Sequence, residues 1–139
     1  MVIAAASGAA VGVLAIVLAR VLRGERWFYS VGLITLPSLY AAFALRAGEW
    51  AVGAREMVYG VPYVVAGLVC TFVGLRRSAV VVAVLWLLHG LYDLVHGQLI
   101  TNAGVPGWYP IWCCVVDIVT GSYLVWLSRR LPDAKFRQA

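Results

Sequence analysis

From Val2 to Ala19 the chain runs eighteen residues without a charged side chain, and four later stretches are almost as apolar. A helix rises about 1.5 Å per residue, so roughly 20 such residues match the ~30 Å hydrocarbon core of a bilayer. Five segments reach or approach that length: Val2–Leu22, Trp27–Leu45, Met57–Leu75, Ala79–Gln98 and Tyr109–Leu127. With 63% hydrophobic and 12% charged residues over 139 positions, no water-soluble domain of this size could hide the apolar surface. The expected fold is therefore all-α, a single polytopic domain spanning residues 1–139 as a five-helix bundle. A four-helix alternative, with residues 46–56 partly re-entrant, is left open by the weakly polar "RAGEWAVGARE".

The net charge of +5 does not point to nucleic acid, because the basic residues form no stripe. Nine of the 11 fall on one side of the five-span topology: Arg20, Arg23, Arg26, Arg76, Arg77, Arg129, Arg130, Lys135 and Arg137. Only Arg46 and Arg55 fall on the other. The positive-inside rule then expects a cytoplasmic C-terminus, an N-terminus outside and a multi-pass protein of the bacterial inner membrane. The arginines follow the first apolar run, whereas a secretory signal carries its charge before it, so that run reads as a retained helix. Cys70, Cys113 and Cys114 imply no disulfide framework. Gly8 and Gly12 form a GxxxG that suits internal packing or a homo-oligomer.

Against this apolar background, "LWLLHGLYDLVHGQLI" (85–100) carries His89, Asp93 and His96 at i, i+4 and i+7, on one helix face. Ionisable groups inside a membrane are expensive and mark function by default. Counting rises, His89 lies about 14 Å from the outer end of its helix and Asp117 about 12 Å from the outer end of the next, so the two are level. Pro110, Cys113, Asp117, Gly121 and Leu124 form a facing stripe. On the third helix Glu56, Gly60, Tyr63 and Gly67 share a face, with Tyr59 beside them and Tyr40 and Arg46 completing the wall. The expected site is an outward-facing cavity in which His89, Asp93, Asp117, His96 and Glu56 carry the chemistry. Asp117, Glu56 and nearby tyrosines are the expected partners of His89 and Asp93. Tyr59, Tyr63, Tyr40, Trp86, Tyr92, Trp112 and Cys113 are the candidate substrate contacts, and the cytoplasmic half is expected to be almost purely Val, Leu, Ala and Gly.

Three mechanisms suit these residue types. A carboxyl in a dry pocket can keep its proton at neutral pH, a neighbouring His can exchange it, and aromatic faces stabilise a cation. That combination fits isomerisation, cyclisation or hydration of a lipophilic small molecule, isoprenoid- or sterol-like, entering from the bilayer. His89, Asp93, His96 and Asp117 are also sound ligands for zinc or iron, although i to i+7 spans about 10 Å, too long for one ion to take the whole stripe. A proton or ion pathway, as in a small proton-coupled transporter, is the runner-up, since Asp, Glu and His chains carry protons. No soluble-enzyme signature such as a Gly-rich dinucleotide fingerprint or a G-x-S-x-G elbow is present.

"WLLHGLYDLVH" followed by "VPGWYPIWCCVVDIVTGSYL" resembles an uncharacterised family of small bacterial integral membrane proteins, chiefly over the last two helices. More loosely, five helices with H-x3-acid on one and a carboxylate on another are similar to emopamil-binding-protein-type sterol isomerases. That resemblance implies an aromatic-lined intramembrane pocket with proton transfer by acidic residues and a histidine. His89 and Asp93 stand at the H-x3-E element, with Asp in place of Glu.

Overall fold

A computed structural model describes residues 1–130, and Lys135 and Arg137 of the expected basic tail lie outside the described residues. Five helices account for almost all of it: α1 (Val2–Val21), α2 (Glu25–Arg46), α3 (Trp50–Val73), α4 (Leu75–Leu99) and α5 (Tyr109–Ser128). Each is long and apolar enough to cross a membrane, and there is no strand among the described residues. Large apolar side chains face outward, including Leu14, Val58, Phe72, Leu91 and Trp126. That distribution inverts the soluble pattern and is what contact with lipid requires.

The re-entrant alternative for residues 46–56 does not hold. The chain turns within Ala47–Glu49, where Gly48 takes φ 81°, and α3 then runs unbroken from Trp50. The start expected at Met57 is thus seven residues late, because "WAVGARE" joins the helix once glycine has made the turn. Arg46 and Arg55 are both exposed, so Arg46 forms no part of a cavity wall. At the other end α3 and α4 are separated by Gly74 alone, with φ 83° and ψ 150°, a region open only to glycine.

Two tightly packed pairs, α2 with α3 and α4 with α5, form the body, and α1 lies along α5. Small residues set each contact, as expected where close approach replaces a hydrophobic driving force. On α3, Gly60 sits against Pro37 of α2, and Gly67 against Ile34 and the Ser30 carbonyl. The α4–α5 pair closes through Gly90, set against Asp117 and Cys114, and Gly121, set against Leu87. Gly8 and Gly12 face Trp112, Val115, Val116 and Val119 of α5, so the GxxxG serves packing within the chain.

The end of the bundle holding the α1–α2 connection is less plain than expected. Tyr29 and Ser30 are fully buried there, the Tyr123 hydroxyl donates to Glu25, and Trp86 Nε1 donates to the Tyr29 carbonyl at 3.1 Å. The Trp86 indole thus satisfies a backbone carbonyl, whereas the Tyr29 hydroxyl and Ser30 Oγ are buried without a hydrogen-bond partner among the described residues.

A methyl group at Gly60 would overlap the Pro37 ring, so Gly60→Ala should lower stability by about 1–3 kcal/mol as overpacking. At Gly97 no atom lies within 4 Å of an added Cβ, and Gly97→Ala should be neutral or gain roughly 0.5–1 kcal/mol from helix propensity. Thermal unfolding in one detergent checks the pair, and equal effects at both positions would contradict this packing.

Candidate functional site

His89, Asp93 and Asp117 come together at the α4–α5 interface. A carboxylate can only accept, so His89 Nδ1–H donates to Asp117 Oδ2, at 2.6 Å. Asp93, one turn along α4, lies 3.6 Å from the same nitrogen through Oδ2. Its Oδ1 accepts a 2.8 Å bond from the Tyr40 hydroxyl of α2. All four residues are at most 2% exposed, and the close approach at Gly90 is what lets His89 reach α5.

A second polar pair lies nearer the α4–α5 connection. His96 Nε2 donates to Glu56 Oε1 at 2.9 Å, and Asn102 Nδ2 donates to that same oxygen at 2.9 Å. Asn102 also bonds the Tyr40 carbonyl at 3.0 Å, and its Oδ1 accepts from Gly104 N at 3.2 Å. One side chain thereby ties the connection to α2 and α3 at once. Tyr40 joins the two groups: its ring stacks on His96 with centroids 3.9 Å apart, while its hydroxyl serves Asp93.

Glu56 therefore pairs with His96 and not with His89 or Asp93, which corrects the expected partnership. The cause is the early start of α3. Glu56 lies within its second turn, level with the last turns of α4, whereas His89 sits nearer the middle of α4. Trp86 does not reach this group: its ring packs in the Tyr29–Leu33–Val82 cluster and lines a separate cavity with Phe28 and Thr120. Trp112 stacks on Tyr109 beside Tyr40 and Cys113, away from the pocket walls.

A pocket of about 90 Å³ opens between α2, α3 and α4, lined by Tyr40, Glu56, Tyr59, Tyr63, His89 and Tyr92, with Pro37 and Gly60 at its base. The Tyr63 ring meets His89 edge-on at 5.2 Å, and Tyr59 is half exposed at the rim. Among the described residues His89 Nε2 makes no hydrogen bond, so the imidazole is held at one nitrogen and free at the other.

Cys113 completes a tight group: one ligand atom each from His89, Asp93, Cys113 and Asp117 lies within 4.8 Å of the others. His96, engaged with Glu56, stands outside it. Asp93 Oδ2, Asp117 Oδ1 and the Tyr109 hydroxyl are buried without a hydrogen-bond partner. These orphaned acceptors fit either a shared proton or a bound cation with nitrogen, oxygen and sulfur ligands.

Two contributors escape the sequence reading. Asn102 is signalled only by its place two residues before Gly104, the spacing of an Asx turn. Tyr109 lies four residues before Cys113 on the same α5 face, but it stands in the first turn of the segment, where an aromatic commonly marks the membrane interface. Comparison with family models, with curated proteins and with solved structures gives no match for this chain.

Removing the Tyr40 hydroxyl would leave both Asp93 oxygens without a partner in an apolar interior. Tyr40→Phe should then lower stability by about 1–3 kcal/mol, although the ring and its stack on His96 are kept. A melting curve for this variant identical to that of the native chain would show that the bond carries no weight.

Proposed function

We propose that the protein is a membrane-embedded enzyme that performs acid–base chemistry on a lipophilic, isoprenoid- or sterol-like molecule. One observation carries the reading: His89 is fixed at Nδ1 by Asp117 while its ring forms part of a pocket wall. Asp117 selects the tautomer and stabilises the imidazolium, leaving Nε2 to take a proton from a bound molecule. Glu56, on the same pocket, is the complementary acid, and Tyr59, Tyr63 and Tyr92 supply π-faces for a developing cation. Isomerisation, cyclisation and hydration all need this set.

The pocket is far smaller than the 300 Å³ or more of typical whole-ligand sites. It admits the reacting end of a molecule whose body stays in lipid along the seam between α3 and α4. The H-x3-acid resemblance to sterol isomerases supports the same substrate class. The basic bias of the loops supports an N-terminus outside, a site in the outer half and a bacterial inner membrane.

The group of four ligand atoms favours a second reading, in which the centre holds zinc or iron and Cys113 replaces His96 in the ligand set. Elemental analysis of protein prepared without chelator or acid separates the two. Near-stoichiometric metal, lost in Cys113→Ser, is the outcome expected of a metal centre, and metal-free protein leaves the proton-transfer centre alone.

For the enzyme itself, mass spectrometry of lipids extracted from the purified protein should reveal an enriched apolar compound that the protein converts. His89→Ala and Asp117→Asn should each slow that conversion by about 10²–10⁴-fold, the usual contribution of a positioned acid or base, with the protein still extractable. Conversion surviving both substitutions would defeat the proposal.

A further inference from the structure

The reaction pocket and a second cavity share a wall. The second, about 260 Å³, lies beneath the α4–α5 connection and is lined by His96, Thr101, Asn102 and Pro110 among others. Glu56 faces the first cavity and His96 the second, and their side chains meet at 2.9 Å. Those side chains are only 2% and 3% exposed, so the pair is a septum one hydrogen bond thick. Either cavity exceeds the roughly 10–15 Å³ that one water molecule needs. The His96 nitrogen facing away from Glu56, Nδ1, makes no hydrogen bond among the described residues.

We propose that the His96–Glu56 pair is a proton port that joins water in the end cavity to the reaction pocket. The purpose assigned to the port rests on the acid–base reading above, but its operation does not. Water in the end cavity protonates His96 at Nδ1, and as that N–H bond forms the Nε2–H bond breaks, its proton passing to Glu56 Oε1. Glu56 then gives the proton to a pocket water or to the bound molecule, and returns to a carboxylate. The imidazole, left with hydrogen on Nδ1, regains its starting tautomer when its bond to Glu56 opens and end-cavity water reaches Nε2, giving a proton there as the Nδ1 proton leaves to the same water. Run backwards, the same steps drain a proton left on His89. Asn102 is a positioning residue: its bond to Glu56 Oε1 holds the carboxylate on His96. Tyr40, stacked on the ring, keeps its plane fixed.

The chain contains two histidines, so ¹⁵N-histidine labelling reports both imidazoles separately. In lipid nanodiscs, without any substrate, the exchange of the His89 ring N–H with water is read by NMR. His96→Phe keeps an aromatic ring against Tyr40 but removes the carrier, and it should slow His89 exchange by at least about tenfold. Glu56→Gln should do the same, and carries the test if His96→Phe does not fold. Unchanged His89 exchange in a folded variant would overturn the port, because protons would then reach His89 by the lipid-facing seam. Failure of the port leaves lipid conversion at His89 and Asp117 untouched, and absence of conversion leaves the port standing.

Discussion

The 2.6 Å bond from His89 to Asp117 is the contact on which the arrangement turns. In hydrocarbon no water is present to accept a stray hydrogen bond, so a polar side chain there is held by another or carries a severe penalty. Two buried groups on neighbouring helices thus fix the rotation and height of α4 against α5. Gly90 and Gly121 make the approach possible, and the polar contact selects which approach is used. Asp93 extends the constraint to α2 through Tyr40, and Glu56 brings in α3 through His96. Buried polar groups therefore tie four of the five helices together, and α1 is held by small-residue packing on α5, with a largely exposed Arg20–Glu25 ion pair to α2.

How much of this was legible differs from residue to residue, for physical reasons. The spans were legible because eighteen uncharged residues in a row have few other destinations. The level of His89 with Asp117 followed from the rise of a helix, since both segments have clear outer ends. The partner of Glu56 is not legible, because its height depends on where α3 begins, and that is settled by one glycine turn that periodicity does not report. Trp86 lies one turn before His89 (i, i−3) yet turns to the Tyr29 carbonyl, because an indole N–H must find an acceptor. Asn102 is hidden for the opposite reason: residues in connections have no periodic face to be read, and their bonds appear only when distant segments meet.

The polar groups form two centres with one shared member. Tyr40 gives its hydroxyl to the first and its ring face to the second, so neither can shift without disturbing the other. Buried networks of this kind are worth more when complete than their separate bonds imply, and are costly when broken. The two orphaned carboxylate oxygens mark where the network is left unfinished, beside the one thiol able to join it.

Gly74 has a mechanical consequence. It is the whole connection between α3 and α4, which pack only lightly on each other while each is clasped by a different partner. The bundle is thus a pair of stiff leaves on a one-residue pin, and the pocket lies between their free edges. Spreading the leaves breaks no helix and neither tight pair. Motion that widens the mouth would load the His96–Glu56, Asn102–Glu56 and Tyr40–Asp93 bonds, which bridge the two leaves at the end away from Gly74.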